Sequence, residues 1–114
     1  MAKGIRVAFD AVREAAYGSI GASYAAVGSA TTDYARLVCM SNGTNADVYV
    51  SIDNSSNHFR IPANGFKLLD LTANKQSNAQ LYLEKGTTFY AKRVSGAPTS
   101  GTFWIECMYA EGGK

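Results

Sequence analysis

The chain has 114 residues, a net charge of +2 and scattered basic residues, with Lys92-Arg93 the one adjacent basic pair. That size suits a single domain with its own core, and the lack of a basic patch argues against nucleic-acid binding, which neutralises several phosphates together. No apolar run approaches the ~18 residues of a membrane span, and Tyr, Asn, Ser, Thr and Gly replace charge on the surface, as in sheet proteins that meet partners through polar faces.

Residues 1–18 read two ways. Val7 to Ala16 contains good helix formers and would make a short helix ended by Gly18. Ile5, Val7 and Phe9 also alternate, which suits a strand or extended arm. The apolar content is too thin to carry a core, so the segment is expected as an N-terminal arm lying on the domain or on another subunit. Its start lacks the apolar stretch of a secretory signal, so synthesis in a cytoplasm is expected.

Residues 19–27 are strand-like, with Ile20 and Tyr24 as the large side chains. Residues 36–41 form a strand with Leu37 and Cys39 on one face, and Asn42-Gly43-Thr44-Asn45 turns the chain. Residues 46–61 predict a hairpin. Val48, Val50 and Ile52 lie on the dry face; Asp47, Tyr49, Ser51 and Asp53 lie on the wet one. The second strand, Phe59 to Ile61, ends at Pro62, which cannot donate a ladder bond.

Residues 66–71 form a further strand, and adjacent Leu68 and Leu69 suggest cover on both faces. Residues 72–78 are polar and loop-like, 80–84 alternate, and 87–94 are strand-like. In 102–110, Phe103, Ile105, Cys107 and Tyr109 share one face; Trp104, Glu106 and Met108 share the other. About eight short strands at this spacing predict an all-β antiparallel sandwich over residues 19–110, flanked by the arm 1–18 and a tail 111–114.

Reactive groups are few. His58 is the sole histidine and lies in a polar turn far from either cysteine. Asp53-Asn54-Ser55-Ser56-Asn57 resembles a calcium loop at its start, but His58 stands where glycine is required and Asn64 where a bidentate acid is required. A hairpin turn capped by Asx hydrogen bonds is the expectation. Cys39 and Cys107 are expected as free thiols. No catalytic, metal or cofactor site is expected, and short loops leave little room for an enclosed active site. Tyr49, Tyr82, Tyr90, Trp104 and Met108 are the candidate interface residues. Trp104 and Met108 mark a contact surface if exposed, and core if a second layer covers them.

A resemblance adds a setting. Ser41-Asn42-Gly43-Thr44-Asn45-Ala46-Asp47-Val48-Tyr49-Val50-Ser51-Ile52-Asp53, Ile61-Pro62-Ala63-Asn64-Gly65 and Leu69-Asp70-Leu71-Thr72-Ala73-Asn74-Lys75 carry it, with Gly86-Thr87-Thr88-Phe89-Tyr90-Ala91-Lys92 and Ala97-Pro98-Thr99-Ser100-Gly101. This stretch, about two-thirds of the chain, resembles small structural proteins of tailed bacteriophages. The resemblance implies a jelly-roll-like sandwich in the virion. Its first version is a capsid decoration, or cement, protein bridging copies of the major capsid protein, with homo-oligomeric contacts in the particle. A head-to-tail joining or tail component is the alternative. A carbohydrate-binding module stacking sugars on Tyr49, Tyr82 or Trp104 is the third reading. No nucleic-acid or membrane partner is expected.

Overall fold

The structure is a computed structural model and describes residues 6–70 and 83–111. Among the described residues nine strands form: β1 Arg6–Phe9, β2 Arg13–Ala16, β3 Ala25–Ala26, β4 Ala35–Asn42, β5 Val48–Ser51, β6 Phe59–Ile61, β7 Phe66–Asp70, β8 Tyr90–Arg93 and β9 Thr102–Glu111. Sheet A has the order β1-β9-β4-β7, with β2 also on β9; sheet B has the order β3-β8-β5-β6. Every named pairing is antiparallel.

The order follows from two folded-over ribbons. The run β4-β5 lies against β7-β6, pairing in sheet A at one end and in sheet B at the other. The run β1/β2-β3 lies against β9-β8 in the same way. Two such ribbons wrapped together are a jelly roll, so the expected sandwich architecture holds.

Alternation built the core. Val38 and Met40 of β4, Val48 and Val50 of β5, Ile61 of β6, Ala91 of β8, and Phe103, Ile105 and Cys107 of β9 are all buried between the sheets, joined by Phe89 and Val27. Asn42 closes one end of the core. Its side-chain amide faces the carbonyls of Ala46, Ile61 and Pro62 at 2.9–3.2 Å, and its Oδ1 accepts from the Thr44 amide and hydroxyl. A buried polar side chain satisfied on every side fixes where β4 hands over to β5.

Several expectations change. Of the two readings of the N-terminal segment the strand holds and the helix does not: β1 and β2 join the edge of sheet A, packed on the domain, where backbone pairing to β9 outweighs local helix propensity. Only Ala25–Ala26 of the predicted 19–27 strand is a strand, and Tyr17–Ser19 is a 3₁₀ turn. Ile52 lies past the end of β5 and is exposed, whereas Ser51, expected on the wet face, is buried and bonds Asp53. Leu69 packs on the core but Leu68 is half exposed, so β7 is covered on one face only. The predicted 72–78 loop and most of the 80–84 strand lie outside the described residues; Leu83 bridges Ala35.

Candidate functional site: the outer face of sheet A

Register assigns each outward side chain of sheet A. In one row Phe66, Ser41, Trp104 and Glu14 lie side by side across β7, β4, β9 and β2. In the next row Leu68, Cys39 and Glu106 are neighbours. In the third, Asp70, Leu37, Met108 and Phe9 run from β7 to β1. The face is therefore mostly apolar, and it is wet: Phe9 is 70% exposed, Phe66 68%, Leu68 50% and Trp104 37%.

Two hollows indent this face. The first holds about 270 Å³ and is lined chiefly by Phe9, Val12, Leu37, Cys39, Glu106 and Met108. It lies where the ladders on both sides of β9 break. On one side Phe9 pairs Met108 while Arg13 pairs Ile105, so one extra residue bulges between β1 and β2. On the other, the β4 register shifts between Ala35 and Leu37. Bulges of this kind re-aim side chains next to binding sites.

The β1–β2 bulge is held by Arg13, which it turns inward. Nε donates to Ser29 O at 2.8 Å, Nη2 to Ala30 O at 3.0 Å, and Asp10 sits at 3.3 Å in a buried ion pair. Asp10 also accepts from the Thr32 hydroxyl. Gly28 makes room: its φ of +72° and a Cβ site 2.7 Å from Arg13 Cγ both exclude a side chain. This knot ties β2 to the loop before β4.

The second hollow, about 310 Å³, is framed by Phe66 and Trp104 with Ser41 between them and Asn64 and Gly65 at its rim. Trp104 packs closely against Gly43, where a Cβ would stand 2.6 Å from the indole. The Gly43 amide donates to Thr102 O at 2.8 Å, which fixes that approach.

Sheet B turns a different surface outward. Lys92 Nζ lies 4.8 Å from the Tyr24 ring centre and 5.9 Å from that of Tyr49. The Tyr24 hydroxyl donates to Asn57 Oδ1 at 2.6 Å; burial raises its pKa, helped by the nearby Tyr49 and Asp53. Asp47 accepts from Arg60 at 2.9 Å and from the Ala63 amide at 3.0 Å, and these bonds lower its pKa, Arg60 most.

The candidate interface residues thus separate. Trp104 and Met108 share the outer face of sheet A; Tyr49 and Tyr90 belong to sheet B, where Tyr49 pairs Lys92 and Tyr90 pairs Ser51. Tyr82 lies outside the described residues. Phe9, Phe66 and Leu68, with the carboxylate of Glu106, complete this face and were not among the candidates. The doublet Leu68-Leu69 was the signal for one of them, since only one of two adjacent leucines can point inward.

The acid-and-amide turn is wired as a turn. Asp53 Oδ1 accepts from the Ser51 hydroxyl and from the Ser55 and Ser56 amides at 2.8–2.9 Å. The Ser56 and Ser55 amides, first of all, hold its carboxyl well below the usual range. His58 joins this turn: Nδ1 accepts from the Ile52 amide at 3.1 Å, and Nε2 lies 3.9 Å from Asp53. Among the described residues neither nitrogen meets a serine hydroxyl, as a triad would require. Among the described residues no group of three or more His, Cys, Asp or Glu is placed to hold a metal.

Cys39 faces outward beside Glu106, while Cys107 is buried opposite Val38; both are free. Side chains on opposite faces of one sheet cannot bridge. Burial pushes the Cys107 thiol up to about 11, with Arg13 pulling the other way. No family model, curated protein or solved structure matches the chain.

Proposed function

We infer that this is a non-enzymatic structural protein of a tailed-phage virion, with capsid decoration as the first version. It would sit on the shell, bind and bridge major capsid protein subunits, and stabilise them. The observation that carries the reading is the outer face of sheet A. The core is complete beneath it, yet contiguous aromatic and aliphatic groups remain in water, which marks a protein contact surface. A jelly roll is also an architecture common in capsid and lectin domains, although fold alone assigns no role. The resemblance carried by the β4–β5 and β6–β7 segments points the same way.

Many weak copies on a shell hold through avidity. Capsid decoration therefore predicts copy numbers comparable with the major capsid protein, in the hundreds. Quantitative mass spectrometry of purified particles reads this directly. A ring of about a dozen copies would replace decoration by a head-to-tail or tail role, and absence from particles would remove the virion reading. The sugar platform loses much of its geometry, because Tyr49 and Trp104 point away from each other on different sheets.

A further inference from the structure

The outer face of sheet A is acidic as well as apolar. Glu14 stands beside Trp104, Glu106 beside Cys39 and Asp70 beside Leu37. No lysine or arginine takes an outward register position in β2, β7 or β9, or in β4 from Leu37 onward. Arg13 is turned into the molecule, and Lys67 reaches across the sandwich edge to within 6.0 Å of the Phe59 ring. Arg60, Lys92 and Arg93 all belong to sheet B. Among the described residues of β2, β7, β9 and β4 from Leu37 onward, the outward charges are therefore all acidic.

That distribution selects the occupant. Phosphate-rich surfaces, whether nucleic acid or anionic lipid, would be repelled. A second copy docking through the same face about a two-fold axis would bring like carboxylates together. A basic protein surface is attracted. The size is adequate: the exposed apolar side chains of this face, Phe9, Val12, Phe66, Leu68 and Trp104, offer on the order of 500 Å², close to the apolar share of the about 800 Å² that each partner buries in a stable interface.

The first hollow narrows the chemistry further. Its walls are mostly apolar, and of its two acids Asp10 is paired with Arg13, which leaves Glu106 as the carboxylate offered to a ligand. Arginine has the matching form, an aliphatic stem that buries on apolar groups and a guanidinium that pairs a carboxylate through two bonds. The second hollow, between Phe66 and Trp104, has no charged lining and suits an apolar side chain.

We propose that the outer face of sheet A binds a basic, apolar surface of a different protein, one arginine of which enters the Phe9–Met108 hollow onto Glu106 while an apolar neighbour lodges between Phe66 and Trp104. This rests on the virion reading above and adds which face is used and what the partner presents.

The test adds purified chain to particles that lack it and counts bound copies at rising concentration. Leu68→Glu and Glu106→Arg are expected to weaken binding at least ten-fold, and Glu106→Gln less than Glu106→Arg. Tyr49→Ala and Lys92→Glu, on sheet B, are expected to bind as wild type. All five should melt close to wild type; if Leu68→Glu does not fold, Phe66→Ser at a more exposed position replaces it. Wild-type binding undiminished by Leu68→Glu and Glu106→Arg overturns the proposal and leaves the virion reading standing. Failure of the wild-type chain to bind overturns both. Sedimentation of free wild type as a dimer that Leu68→Glu dissociates also overturns the proposal, because the face would then be covered by a second copy.

Discussion

The two outer faces of the sandwich have the same backbone grammar and opposite chemistry. On sheet B, Lys92 lies between Tyr24 and Tyr49, Asp47 takes Arg60, and Asp53 gathers the amides of its own turn. Polar groups there are satisfied by one another. On sheet A, the corresponding positions hold Phe9, Leu37, Phe66, Leu68, Trp104 and Met108, and two hollows open between them. The shared core is closed beneath both faces, so neither is needed to complete it. Under the proposed function, a face left apolar after the core is complete serves association rather than folding.

The comparison depends on the core being where register puts it, and that is the largest effect to test. Val50 is fully buried while Tyr49 beside it faces out. Val50→Asp should abolish folding, because an unpaired buried charge costs several kcal/mol against a total of roughly 5–15. Tyr49→Ala should cost less than about 1 kcal/mol. Thermal unfolding of both checks this, and a folded Val50→Asp protein would invert the face assignment. Asn42→Leu comes next. It removes the acceptor of the buried Thr44 amide and the donor to the carbonyls of Ala46, Ile61 and Pro62, and should cost roughly 1–3 kcal/mol by denaturant unfolding.

Thiol labelling sharpens the assignment of the two sides of sheet A. Cys39, half-buried on the outer face, should react in the native protein. Cys107, with its pKa pushed up to about 11, should react only after unfolding. Two reactive thiols in the native state would contradict the register of β9. The smallest effect is acid titration on the sheet B side. Asp53 and Asp47 have lowered pKa values when folded. Their stabilising contribution is therefore complete above the unfolded value of about 3.9 and is lost as pH falls through the lower folded values. The Ser55 and Ser56 amide signals should hold to below about pH 3.9 in NMR; a midpoint at that value would show the Asx bonds absent.

Period-two alternation made the β4, β5, β6 and β9 segments legible, because each has one face against the core. Pro62 and the Asn-Gly turns marked their ends. The N-terminal segment was legible only as two alternatives, since the good helix formers of Val7 to Ala16 competed with the Ile5, Val7 and Phe9 alternation, and nothing local marked the roles of Arg13 and Asp10. Their inward turn depends on a bulge and on carbonyls of Ser29 and Ala30, far along the chain. Trp104 and Met108 were found as a pair by alternation alone. Phe66, Leu68 and Phe9 joined them only once strand order was known, because neighbours across a sheet carry no signature in one strand's sequence.

Covalent footprinting of particles that carry the chain, set against the free protein, tests the central claim most directly. Protection of Trp104, Met108 and Phe66 on the particle, with Tyr24 and Tyr49 as reactive as in the free chain, is the predicted result. Protection of Tyr24 and Tyr49 with Trp104 and Phe66 unchanged would contradict it.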